Sequence, residues 1–204
     1  GFKVDIAAFA LPLLAFGIPL LFSGKSSRKS VGEFIFGFSF LFMGLQALKA
    51  NAPDLGANPE MLAFVQNYTD MGFLSIILFL FIGAILTMIV QASAATMAIT
   101  LIMCANGWID YHLGVALVLG ENIGTTITAN LAALTGNTQS RRAALAHLVF
   151  NIFGVMWVLV LFYPFTAAVS WFVTDVMNIS DPAVAVSFKL AAFHTAFNIS
   201  NTFI

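Results

Sequence analysis

An all-α, polytopic membrane fold is predicted by three features of this 204-residue sequence. Apolar residues make up 60% of it and charged residues only 8%, against about 25% charged in soluble domains, so lipid must be the solvent for much of the surface. The few charges cluster in short segments between long uncharged runs. Neutral polar residues gather in two compact islands inside those runs. With 8 basic and 9 acidic residues the chain has no field to recruit nucleic acid, and the single cysteine, Cys104, excludes a disulfide framework.

The elements follow in order. The opening Gly-Phe-Lys-Val-Asp has neither an initiator Met nor a signal-peptide pattern, which predicts a piece of a longer chain. Apolar runs at about 6–22 and 34–48 flank a Ser/Gly-rich turn holding Lys25, Arg28 and Lys29, so 1–50 reads as connector spans. Residues 50–70 hold Asp54, Glu60 and Asp70 with Pro53 and Pro59, and no Lys or Arg. From Met71 to Ile109, 39 positions carry no charge. That exceeds one span of about 20 residues, so this stretch must fold back or cross twice. Asp110 and His112 interrupt it, Glu121 follows, and Arg141-Arg142 closes a core hairpin repeat over 71–142. Ala143 to Thr174 is again uncharged; Asp175, Asp181 and Pro182 precede a last apolar run ending at Ile204, so 143–204 reads as following spans.

The positive-inside rule puts Lys25–Lys29 and Arg141-Arg142 in the cytoplasm and the acidic 50–70 and 175–182 segments outside, giving a multi-pass protein of the cell membrane. The path from 70 to 141 then needs an odd number of crossings, which predicts a helical bundle with a broken or re-entrant hairpin.

The first island is Gln91-Ala92-Ser93-Ala94-Ala95-Thr96. Ser93 and Thr96 share a helical face, while Gln91 and Ser93 converge only if the helix breaks. Unwound backbone at membrane depth must line protein or a wet cavity, and its carbonyls with nearby hydroxyls suit sodium. The alternative is close helix packing with Ser and Thr bonding the i−4 carbonyl. The second island runs Gly120-Glu121-Asn122-Ile123-Gly124-Thr125-Thr126-Ile127-Thr128-Ala129-Asn130. Asn122, Thr126 and Asn130 recur at four, with Thr125 at three from Asn122, forming a polar stripe on an apolar helix. A helix starting near Asn122, with Asn122 as N-cap, offers free N–H groups to an anion; an ordinary capped helix is the alternative. Neutral oxygens for sodium beside a helix end for an oxyanion are the chemistry of coupled transport. Glu121 either completes a cation site or sits solvated in an aqueous mouth, and the latter is expected. His147-Leu148-Val149-Phe150-Asn151-Ile152 and His194-Thr195-Ala196-Phe197-Asn198-Ile199 share H-x-x-F-N-I. An interhelical hydrogen-bond pair is expected of each echo; the sharper reading lines a transport path with His147, Asn151, His194 and Asn198.

Gln91–Thr96 and Gly120–Thr126, followed by Arg141-Arg142-Ala143-Ala144-Leu145-Ala146-His147 with Phe150-Asn151 and by Phe193-His194-Thr195-Ala196-Phe197-Asn198, resemble the bacterial type II sodium/phosphate cotransporters. Those carry a Gln-Ser-Ser-Ser-Ala-Thr motif and a later Gly-Ala-Asn-Ile-Gly-Thr-Thr. Ala92, Ala94 and Glu121 depart from that pattern. The resemblance implies the second of two inverted repeats plus its connector, with sodium as coupling ion and no other metal or cofactor. It implies sodium ligands at Gln91, Ser93, Thr96 and Thr125, and phosphate contacts at Asn122, Gly124, Thr125 and Thr126, with Glu121 and Asn130 beside the path. The partners implied are inorganic phosphate, sodium, the lipid bilayer, the missing first repeat and a second copy in a homodimer. No catalytic residue is expected. Two other classes compete: an intramembrane hydrolase using Ser93 with His147 or His194, which lacks an orienting carboxylate, and a phosphate sensor or scaffold without flux.

Overall fold

A computed structural model describes residues 9–50 and 67–203, and all regular structure among them is helical. The opening pentapeptide and the acidic Asp54 and Glu60 lie outside the described residues. The chain divides into two compact units, Gly1–Pro53 and Asp54–Ile204.

In the first unit, α1 (Ala10–Leu21) and α2 (Ser26–Ala50) form an antiparallel hairpin. Its seam is glycine: a Cβ on Gly17 would lie 2.8 Å from Ile35 Cγ2, and one on Gly32 would lie 2.9 Å from Leu20 Cβ. The exposed Lys25, Arg28 and Lys29 stand at the turn, where the sequence places a basic loop.

The second unit contains α3 (Phe73–Val90), α4 (Ser93–Ala105), α5 (Tyr111–Ala133), α6 (Thr138–Val160), α7 (Phe162–Trp171), a π-helical turn (Phe172–Val176) and α8 (Pro182–Phe203). The long uncharged run is broken, as its length requires. Gln91 adopts a left-handed conformation, φ 56°, and Ala92 is extended, so α3 ends and α4 begins within two residues. Pairings fix the directions. Gly83 meets the Leu117 carbonyl, Gly120 meets the Leu80 carbonyl, and a Cβ on Gly124 would fall 2.5 Å from the Ala84 carbonyl oxygen. Numbers rise together along both helices, so α3 and α5 are parallel. Thr100 hydrogen-bonds Glu121 and Cys104 abuts Gly114, so α4 is antiparallel to α5. The pair α3–α4 is therefore a hairpin that runs along α5 and returns, its tip at Gln91–Ala92 level with about Thr128.

The remaining helices close around α5. Asp110 caps α5, accepting from the Leu113 N–H at 2.8 Å, and Asn137 caps α6, accepting from the Ser140 N–H at 2.9 Å. The Asn130 side chain donates to the Ala144 carbonyl at 2.8 Å, joining α5 to α6. Asn201 donates to the Phe150 carbonyl at 3.2 Å, joining α8 to α6. Leu113 to Gly120 is continuously buried, against Leu190, Phe193 and Phe197 of α8 among others. The outer faces are apolar: Phe81, Ile85 and Ile89 on α3, and Phe153, Met156 and Val160 on α6, are all exposed. Among the described residues, Phe73–Val90 and Thr138–Val160 are long and apolar enough to cross a bilayer.

A methyl at Gly120 meets a rigid carbonyl rather than a movable side chain. Gly120→Ala is expected to destabilise the protein by about 1–3 kcal/mol, read as a lowered melting temperature in detergent. Gly37→Ala, where no heavy atom lies within 4 Å, should leave it nearly unchanged.

Candidate functional site

The hairpin tip is where backbone groups lack helical partners. The Gln91 N–H still donates to the Thr87 carbonyl at 2.7 Å, and the N–H groups of Ala95 and Thr96 donate to the Ala92 carbonyl at 3.0 and 3.1 Å. The amides of Ser93 and Ala94, first in α4, and the last carbonyls of α3 are the ends that intrahelical bonding leaves over. A helix C-terminus and a helix N-terminus thus meet within a few residues, one favouring a cation and the other an anion. Gln91 to Ala94 are exposed and Thr96 is fully buried, its hydroxyl donating back to the Ala92 carbonyl at 3.3 Å.

The second island lies beside this tip but is built differently from expectation. No helix starts at Asn122: α5 begins at Tyr111 and runs unbroken through the island. The Asn122 amide donates to the Val118 carbonyl at 2.8 Å, a mid-helix bond and not a cap. Gly120 and Gly124 admit the backbone of α3, and the helix runs continuously past both. The helix end proposed for an anion near Asn122 therefore does not exist; the nearby one is at Ser93. Thr125, Thr126, Thr128 and Asn130 all donate to carbonyls of their own helix at 2.7–2.9 Å. Their oxygens keep lone pairs for a cation. Asn130 alone of these also reaches another helix, at Ala144.

Glu121 is not solvated. It is 3% exposed, and its Oε1 accepts from the Thr100 hydroxyl at 2.8 Å. Adjacency to polar residues suggested an aqueous mouth, but position on the helix decides: Glu121 extends the buried run Leu113–Gly120. An ionised carboxylate taken out of water costs several kcal/mol unless compensated.

The histidine echoes are corrected too. Asn151 donates to the His147 carbonyl at 3.0 Å and Asn198 to the His194 carbonyl at 2.8 Å. Both bonds stay within one helix; the interhelical link comes from Asn201, outside the repeat. His147 is exposed and lines a hollow of about 540 Å³ with Ala129, Ala133 and Ser140, while His194 is half-buried on α8. Ser93 makes no hydrogen bond with either histidine among the described residues. Two buried threonines escaped the sequence reading. Thr87 stands against Gly124 and donates to the Gly83 carbonyl at 2.8 Å, and Thr100 is the partner of Glu121. Both continue rows at spacing four, Thr87 with Gln91 and Thr100 with Thr96.

Against known proteins, the model of the family described as Na+/Pi-cotransporter matches residues 2–50 and 56–195. The chain belongs to the Na+/Pi-cotransporter family. The uncharacterized protein YqeW of Bacillus subtilis is 31% identical over 200 residues, 97% of this chain and 59% of that protein. The rat protein named sodium-dependent phosphate transport protein 2B is 41% identical over 97 residues, 46% of this chain and 13% of its own length. The mouse protein named sodium-dependent phosphate transport protein 2C is 39% identical over 94 residues, 44% of this chain and 16% of its own. The family chain described here thus spans less than two thirds of the curated relatives it matches. No solved structure matches it.

Asn130 is the polar tie between the second island and α6. Asn130→Leu removes both of its donated bonds and is expected to cost about 1 kcal/mol, measurable as a lowered thermal midpoint of the detergent-solubilised protein.

Proposed function

We propose that the full-length protein is a sodium-coupled carrier of inorganic phosphate in the cell membrane, of which this chain supplies one of two inverted repeats. The observation that carries this reading is the break at Gln91–Ala92, which sets a helix C-terminus and a helix N-terminus side by side along α5. Carriers with discontinuous helices use such ends for anionic substrate groups and coupling cations.

In this reading the α3 carbonyl end, with the oxygens of Gln91, Ser93, Thr96 and Thr125, holds sodium. The phosphate takes the free amides of Ser93 and Ala94, with Asn122, Thr125 and Thr126 supplying side-chain contacts from α5 and Gly124 setting the close approach. Exposure of Gln91–Ala94 agrees with a site finished by the other repeat. Asn130, His147, Asn151, His194 and Asn198 stand farther along the path. The hairpin α3–α4 enters and leaves on one side of the membrane and α5 crosses once. That gives the odd number of crossings the charges require between Asp70 and Arg141. The apolar outer faces meet lipid or a second copy.

Labelled phosphate uptake by the full-length protein in liposomes tests this. Uptake should require an inward sodium gradient, and Gln91→Ala or Ser93→Ala should lower it about ten- to a hundredfold. Uptake indifferent to sodium, or unchanged in both variants, rules the reading out.

A further inference from the structure

We propose that Glu121 and Thr100 form a second cation site, deeper than the hairpin tip, which takes one sodium ion entering along a hydroxyl-lined seam between α4 and α5. This rests on the phosphate-carrier reading and adds a coupling ion to it. The site belongs to this chain rather than to the motif it resembles, since Glu121 is one of the positions that depart from that pattern.

The seam follows from helical register. Thr100 bonds Glu121 across the two antiparallel helices at 2.8 Å, which fixes one rung. One turn toward the tip on each helix, that register sets Thr96 opposite Thr125, and a further turn sets Ser93 opposite Thr128. The same face of α5 carries Gly114, against which Cys104 packs. Exposure falls along the column: Ser93 is exposed, Thr125 and Thr128 are half-buried, and Thr96, Thr100 and Glu121 are buried. Thr100 lies seven residues along α4 from Ser93, about 10 Å deeper at 1.5 Å per residue.

The hydroxyls on this seam are turned to receive a cation. Thr96 donates to the Ala92 carbonyl at 3.3 Å, Thr125 to the Glu121 carbonyl at 2.9 Å and Thr128 to the Thr125 carbonyl at 2.8 Å. A hydroxyl whose proton is spent on its own backbone keeps lone pairs for a cation and has no proton to offer an anion. Thr100 differs, because its proton goes to Glu121. Turned onto the Thr96 carbonyl, as Thr87 and Thr125 turn onto theirs, it joins the carboxylate as an oxygen ligand.

Glu121 supplies the charge that such an ion requires. At 3% exposure its carboxylate has Thr100 as its one polar partner among the described residues. The Lys189 ammonium stands over the Tyr111 ring at the start of α5, 5.8 Å from its centre, and Arg141 donates to the Leu134 carbonyl beyond the other end. A buried carboxylate without a protein cation is compensated by one that arrives from solution. Carboxylate and hydroxyl oxygens are hard ligands, and one carboxylate balances one positive charge, which selects an alkali ion. The soft donor nearby, the Cys104 thiol, is turned to the Asp110 carbonyl at 3.6 Å.

The test uses the full-length protein in liposomes, with labelled sodium and labelled phosphate taken up together, and the nearly isosteric Glu121→Gln, which removes the charge. The sodium-to-phosphate ratio should fall by one ion in the variant, and the sodium concentration for half-maximal uptake should rise at least about tenfold. Thr100→Val removes a ligand and leaves the charge, so half-saturating sodium should rise with the ion still counted in the ratio. An unchanged ratio in Glu121→Gln overturns the proposal however far the rate falls, because a purely structural tie between α4 and α5 sets rate and stability but not ion count.

Melting in detergent gives a readout that needs no transport. Replacing choline chloride by sodium chloride at constant ionic strength should raise the wild-type midpoint by more than that of Glu121→Gln; equal rises end the site. If wild-type uptake is indifferent to sodium, the carrier reading fails and the melting comparison decides the Glu121 site. Sodium-dependent uptake at an unchanged ratio removes the Glu121 proposal alone.

Discussion

The approach of α3 to α5 through Gly83, Gly120 and Gly124 is the constraint on which the second unit depends. Without side chains at the seam, backbone carbonyls of one helix face the backbone of the other, a geometry favoured between apolar helices whose association gains little from hydrophobicity. The register it sets, Leu80 at Gly120 and Thr87 beside Gly124, is what carries the hairpin tip alongside the second polar island. It also keeps α5 continuous through a segment rich in Gly, Asn and Thr, residues with weak helix propensity.

Continuity of α5 changes the chemistry assigned to the two islands. With no helix start at Asn122, the side chains of the second island turn back onto their own carbonyls and contribute oxygen lone pairs rather than backbone amides. In the proposed carrier the first island then supplies both poles. Its break does so because Gln91 in the left-handed region ends one helix and extended Ala92 starts the next, leaving amide and carbonyl ends unpaired within one short segment.

Several features were legible in the residues. The 39 uncharged positions from Met71 required a fold-back, and the polar cluster inside them marked where it occurs, because a break needs groups that tolerate unpaired backbone. The motif order at Gln91 and Gly120, with the Arg141 and Phe193 segments after them, pointed to the family that the comparisons show. Other features were not legible. Glu121 beside Asn122 looked wet because neighbours in sequence were polar, but burial along a helix follows the face and not the neighbour. The echoed His and Asn looked interhelical because spacing four also describes contact between helices; it equally describes an asparagine bonding back one turn.

The sequence by itself determined the helical class, the break and the positions of the polar islands, because composition, charge scarcity and helical periodicity are local properties of the chain. Only the tertiary structure decided that α3 and α5 run parallel, that Asn122 lies within a helix, and that Glu121 is buried against Thr100. Those depend on which backbone a glycine admits, and a glycine in sequence looks the same whether it breaks a helix or seats one against another.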